Sequence, residues 1–248
     1  MPFVLLFIVV LTVAVITIAI LIAKKTNNDA NDYELPGADD DSLYKQYIYQ
    51  NTSQVAKPYI NQIFQMIDDI NHLAEQYKSS YDKAYYNAVK SIYATAERAE
   101  KKIKWCWDNS KFNKDFTFYI GLHYASHLLG LAIKAEQFKI RDTFVKYKIE
   151  REREAKLIEN LKYRQMYVAK SRKSEIGLQI AEHCQLHKHI CILTNQLGEI
   201  NSLYLSRATQ QFIETANRRD YIASHFGERG KKWKERMRLH ALQNKRNT

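Results

Sequence analysis

Between Phe3 and Ala23 the chain carries no charge: the run is built of Phe, Val, Leu, Ile, Ala and two threonines, Thr12 and Thr17. Wound as a helix it spans about 31 Å, the depth of a bilayer's hydrocarbon core. No Lys or Arg precedes it, and the apolar stretch is longer than the core of a cleaved leader, so the pattern predicts a retained transmembrane signal anchor over residues 1–25. Lys24 and Lys25 follow at once. Cations beside a span stay on the cytoplasmic side, which places the bulk of the chain in the cytoplasm. The opposite orientation, in which the sequon Asn51-Thr52-Ser53 would matter, leads instead to an extracytoplasmic adaptor of an envelope assembly.

Residues 26–42 change character. Six acids and no base lie between Thr26 and Tyr44, around Pro36-Gly37 and Asp39-Asp40-Asp41, the composition of an acidic flexible linker. A short helix is expected from Leu43 to Val55, with Pro58 in the first turn of the next. From there Ile60, Ile63, Ile67, Ile70, Ala74, Tyr77, Tyr81, Ala84 and Ala88 repeat at three-four spacing. After a stutter, Ile92, Ala96, Ala99, Ile103 and Cys106 resume the pattern. It predicts one helix of about 50 residues whose apolar stripe needs partner helices, from the same chain or from a second copy.

The stretch Asp108–Asp115 breaks the periodicity and reads as a turn. Phe116–Phe138 is then apolar nearly all round, as a central bundle helix is. A second membrane segment is the alternative, made costly by His123, His127, Tyr119 and Tyr124. Beyond Lys139 the helix becomes heavily charged, and Glu150–Lys156 offers only Ala155 to a core. A turn is expected near Ser171–Gly177, followed by a core stripe at Leu186, Ile190, Leu193, Leu197, Ile200, Tyr204, Ala208 and Phe212. Gly227-Glu228-Arg229-Gly230 is the last break.

Composition narrows the fold class. The 248 residues include three prolines and seven glycines and no Asn-Gly or Asp-Gly pair, so hairpins and strand-helix alternation lack their punctuation. The expected fold is all-α: a single N-terminal transmembrane helix followed by a bundle of three to four long antiparallel, coiled-coil-like helices. Its parts are the anchor (1–25), the linker (26–42), the helical domain (43–226) and a basic amphipathic tail (227–248). Cys106, Cys184 and Cys191 make no disulfide framework and read as free thiols.

Candidate chemistry is sparse. No GxSxG, P-loop, CxxC or HExxH occurs, so neither an enzyme nor a cofactor is expected. Two HxxxH pairs, His123 with His127 and His183 with His187, each share a helical face, and Cys191 lies one turn beyond the second. If their helices packed antiparallel and in register, four imidazoles and a thiolate would converge as a zinc or haem site. Taking Leu186 as the core position turns His183, His187 and Cys191 progressively off the core face, so boundary histidines are the plainer expectation.

Charge points elsewhere. The net charge is +11, and residues 227–248 hold eight bases against two acids. Arg229, Lys231, Lys232, Lys234, Arg236 and Arg238 surround an apolar edge begun by Trp233 and Met237. Such a tail suits anionic lipid headgroups or an acidic partner; nucleic acid ranks lower, since no recognition motif accompanies the charge. The expectation is an integral membrane scaffold or adaptor acting through protein–protein interaction. Its self-association seam would be Ile60, Ile63, Ile67, Ile70, Tyr77 and Tyr81, meeting a second copy or another helical protein. A metal- or haem-binding bundle is the alternative.

Overall fold

The computed structural model describes residues 41–77 and 83–246. The anchor expected at 1–25, the linker up to residue 40, and Tyr81 lie outside them. Helix makes up 93% of the structure and no strand occurs among the described residues, so the fold is all-helical. The helices are α1 (Asp41–Asn51), α2 (Lys57–Gln76), α3 (Lys83–Asp108), α4 (Phe116–Tyr167), α5 (Lys173–His225) and α6 (Gly227–Arg246). They divide into two compact units: residues 52–221, and residues 41–51 together with those from 222 onward.

In the larger unit α2 and α3 run antiparallel. Tyr59, near the start of α2, packs its ring 5.4 Å from Trp105, near the end of α3. The single helix expected from Ile60 to Cys106 is therefore corrected to two. α2 stops at Tyr77, whose φ and ψ of −106° and 21° leave the helical region while its N–H turns back to Leu73 and Glu75. Ile60, Ile63, Ile67 and Ile70 on α2 are fully buried, as are Val89, Ile92, Ala96, Ala99 and Ile103 on α3. A long apolar stripe cannot cover itself while straight; reversing the chain lets one half cover the other.

The interruption at Asp108–Asp115 separates α3 from α4. Asn109 accepts from the Lys111 N–H across a single 3-10 turn, and Asp115 caps α4 by accepting from the Phe118 N–H at 2.9 Å. The second Asp115 oxygen takes the Ser53 N–H at 2.9 Å, tying the loop before α2 to the start of α4. α4 lies against α2 through Phe64 and Tyr124, and against α3 through Trp107 and Tyr119, 4.7 Å between ring centroids. It is the one described helix long and apolar enough to cross a membrane, and 78% of that apolar window is buried inside the protein.

α5 runs antiparallel to α4 over its whole length in this unit. Successive contacts pair Thr215 with Ser126, Asn201 with Gln137, Gly198 with Phe144, His183 with Glu154 and Lys173 with Gln165. Described residues of α2 and α3 reach α4 as far as Lys139, whose ammonium meets the Ala74 carbonyl, and Glu136, which accepts from Tyr85. Beyond that point, among the described residues, α4 and α5 continue as a two-helix arm. Its seam corrects two expectations: Glu154, not Ala155, is buried, and Leu186 is exposed while Ile176 and Ile190 are buried. The expected turn at Ser171–Gly177 also moves back, because α4 ends at Tyr167 and α5 starts at Lys173.

The smaller unit joins α1 to α6. α1 starts two residues before the expected Leu43 and ends at Asn51, short of Val55. Tyr44 and Ile48 on α1, Ile222 at the end of α5 and Trp233 on α6 are its buried side chains. Gly227, at φ +57°, takes the left-handed turn that separates α5 from α6. A Cβ on Gly230 would stand 2.2 Å from the Ile222 carbonyl, so only glycine admits this approach of α6 to the last turn of α5.

Candidate functional site

The two histidine pairs do not form one site. His123 and His127 lie on α4 near Arg218 and Arg219 of α5, whereas His183 and His187 lie on α5 opposite Glu154. His123 and Glu154 are 31 residues apart on one helix, roughly 45 Å. The convergence that a shared zinc or haem would need is thereby corrected by the register. Among the described residues no group of three or more His, Cys, Asp or Glu side chains is placed to hold a metal ion.

Each pair has its own surroundings. His123 is buried, and desolvation, reinforced by His127, Arg219 and Arg218, holds its imidazole down to a pKa of about 3. His127 is exposed, its ring 6.3 Å from Phe212. Half-buried His183 meets Glu154 Oε2 through Nδ1 at 2.8 Å. His187 lies 3.8 Å from Cys191 Sγ, one turn along the same helix. The stripe Ile176, Ile190, Leu193, Leu197 extrapolates through His183 and His187, so these histidines sit on the seam rather than drifting from it.

A polar cluster that hydropathy missed lies where α4 meets α5. Ser126 Oγ is 2.7 Å from Thr215 Oγ1 and accepts from Gln211 Nε2 at 2.6 Å and from Arg218 Nη1. Arg218 in turn donates to Glu214 at 2.7 Å, and its guanidinium lies 5.7 Å from the centre of the Trp107 ring. Burial pulls its pKa down. Nearby, Arg207 donates to Glu100 at 2.6 Å, where burial outweighs the guanidinium and pushes the carboxyl up. Gln211, Thr215 and Arg218 continue the buried spacing of Tyr204 and Ala208. The register could have located them; hydropathy could not. Both oxygens of Ser126 accept hydrogen bonds in this network, which ties α4 to α5 at one register.

The expected seam residues Ile60, Ile63, Ile67 and Ile70 are buried inside the chain, and Tyr77 is half-buried at the α2 end. On α6, Trp233 is corrected from the tail's apolar edge to its core: it is 2% exposed and its indole is the polar neighbour of the Tyr44 hydroxyl, which burial pushes up to about 12. Lys231 donates to Glu228 at 2.9 Å and Arg238 to Glu235 at 2.7 Å. Lys232 and Arg236 are exposed, and Arg229 and Lys234 half-buried.

No family model matches this chain, and no curated protein or solved structure does either.

Proposed function

We propose that the protein is a single-pass, membrane-anchored helical scaffold or adaptor that acts by binding other proteins, with its bulk on the cytoplasmic side. The anchor rests on the 21-residue apolar run and on Lys24 and Lys25 after it. The observation that carries the interaction reading is the arm. Its seam is thin and partly polar, and Val145, Ile149, Tyr163, Leu178 and Ile192 stand exposed on its outer surfaces. Counting 100° per residue, Val145, Ile149 and Tyr163 fall on the side of α4 turned away from α5. A coiled-coil-like association of this side with a helix of another protein, or of a second copy, would cover them.

A photoreactive amino acid at Ile149 or Tyr163 tests this in the native membrane, with Lys104 on the body as control. Discrete adducts from the arm positions and none from Lys104 are expected. Arm positions that crosslink no more than Lys104 overturn the reading.

A further inference from the structure

The end of the arm gathers charge of one sign. Between Asn160 and Ser174 stand Lys162, Arg164, Lys170, Arg172 and Lys173 and no acid, with Glu159 and Glu175 bounding the stretch. All five cationic side chains are exposed. Among the described residues none of the five makes an ion pair, a side-chain hydrogen bond or a contact with an aromatic ring, not even with Glu159 or Glu175. Cations held together at one hairpin end repel one another, and an anionic surface relieves that repulsion.

The same end carries apolar rings. Tyr163, Met166 and Tyr167 are each more than half exposed, and the two tyrosine rings lie 4.8 Å apart. Tyrosine settles at the headgroup level of a bilayer, its ring toward the acyl boundary and its hydroxyl toward water.

Shape chooses among the anionic partners. Counting 100° per residue, Lys162 and Arg164 fall on opposite flanks of α4 with Tyr163 and Tyr167 between them. Lys170, Arg172 and Lys173 lie across the turn and at the first residue of α5. The cations therefore surround a convex end instead of following one line. A nucleic-acid strand engages cations along its backbone, whereas a headgroup layer meets them on every side of the end at once.

We propose that the end of the arm docks on an anionic phospholipid surface, with Lys162, Arg164, Lys170, Arg172 and Lys173 on the phosphates and Met166 and Tyr167 at the headgroup level. This goes beyond the protein-binding reading of the arm's outer side and does not depend on it.

The test holds the full chain in phosphatidylcholine nanodiscs and mixes it with separate, sedimentable vesicles of phosphatidylcholine alone or of phosphatidylcholine with phosphatidylserine. The chain is expected to sediment with the anionic vesicles and not with the neutral ones. Arg164→Gln, Lys170→Gln and Arg172→Gln together should weaken this binding about a hundredfold, at roughly fivefold per cation. Lys101→Gln, Lys104→Gln and Lys111→Gln remove the same charge from the body and should change it by less than about threefold. Met166→Ser with Tyr167→Ser, which alters no charge, should weaken it several-fold. All the substituted arm positions are exposed, so helix content by circular dichroism should match the parent's. Equal binding to the two kinds of vesicle overturns the proposal, and so does an equal loss in the arm and body variants. Binding of an oligonucleotide or an acidic peptide without binding of anionic vesicles overturns it as well. Because the chain itself is followed, failure here leaves the protein-binding side of the arm standing, and failure of crosslinking at Ile149 leaves this docking standing.

Discussion

Glu154 of α4 and His183 of α5 meet at 2.8 Å across the arm, on seam positions where a leucine would be expected. Around them the seam holds Thr143, Ile158 and Leu161 on one helix and Ile176 and Ile190 on the other. Two polar side chains thus satisfy each other within a seam that has little apolar burial. Such a pair fixes which residues face each other more than it adds stability.

Substituting one partner by leucine leaves the other polar group unmatched, and Glu154→Leu or His183→Leu should each cost about 1–2 kcal/mol. The double leucine variant should recover that loss or exceed the parent. Urea unfolding of the four chains in detergent measures this. A double variant less stable than either single would contradict it.

His123 makes the body sensitive to acid. Its folded pKa of about 3 lies well below the ordinary imidazole value near ~6.5, so between the two the unfolded chain binds a proton that the folded chain refuses. Its contribution is intact above pH ~6.5 and is lost as pH falls toward 3. His123→Gln should reduce the stability lost between pH 7 and pH 4 by about 1–3 kcal/mol. Parallel acid-unfolding curves for parent and variant would refute it.

Glu136 has the opposite sign. Burial raises its pKa despite Lys139 at 3.3 Å and the Tyr85 hydroxyl at 3.4 Å. The folded chain keeps the proton longer than the unfolded one, so stability falls as pH rises above the ordinary carboxyl range. Glu136→Gln should stabilise the body by about 1 kcal/mol at pH 7 and change little at pH 4. Equal effects at both values would show that the substitution acts through packing.

Gly230→Ala places a methyl against the Ile222 carbonyl. The approach of α6 to α5 has to widen, at about 1–3 kcal/mol. Hydrogen exchange should quicken in residues 41–51 and in α6 while α2 and α3 keep their protection. Unchanged exchange in α6 would contradict the close approach.

Much of this architecture is legible in residue patterns. The turns at Asp108–Asp115 and Gly227 carry capping side chains or glycine, and the scarcity of proline and glycine excludes sheet. The break at Tyr77 is not legible, because the three-four spacing runs on through Tyr77, Tyr81 and Ala84: a stripe is equally regular whether the helix continues or doubles back. Glu154 and His183 escape for a related reason. Hydropathy assigns charged residues to solvent, and only the partner helix shows that each covers the other. Trp233 looked like a tail's edge because its cover, Tyr44, is nearly two hundred residues away in sequence.

The polar seam of the arm has a kinetic consequence. Helix pairs with few buried carbons breathe at a lower free energy than a body sealed by isoleucines. Opening from the Val168–Arg172 tip inward to Glu154 is therefore the local motion that this seam favours. An arm that unzips and recloses on its own offers a visitor two separated strands of helix as well as one closed surface, and Glu154 with His183 is the latch such a visitor would have to part.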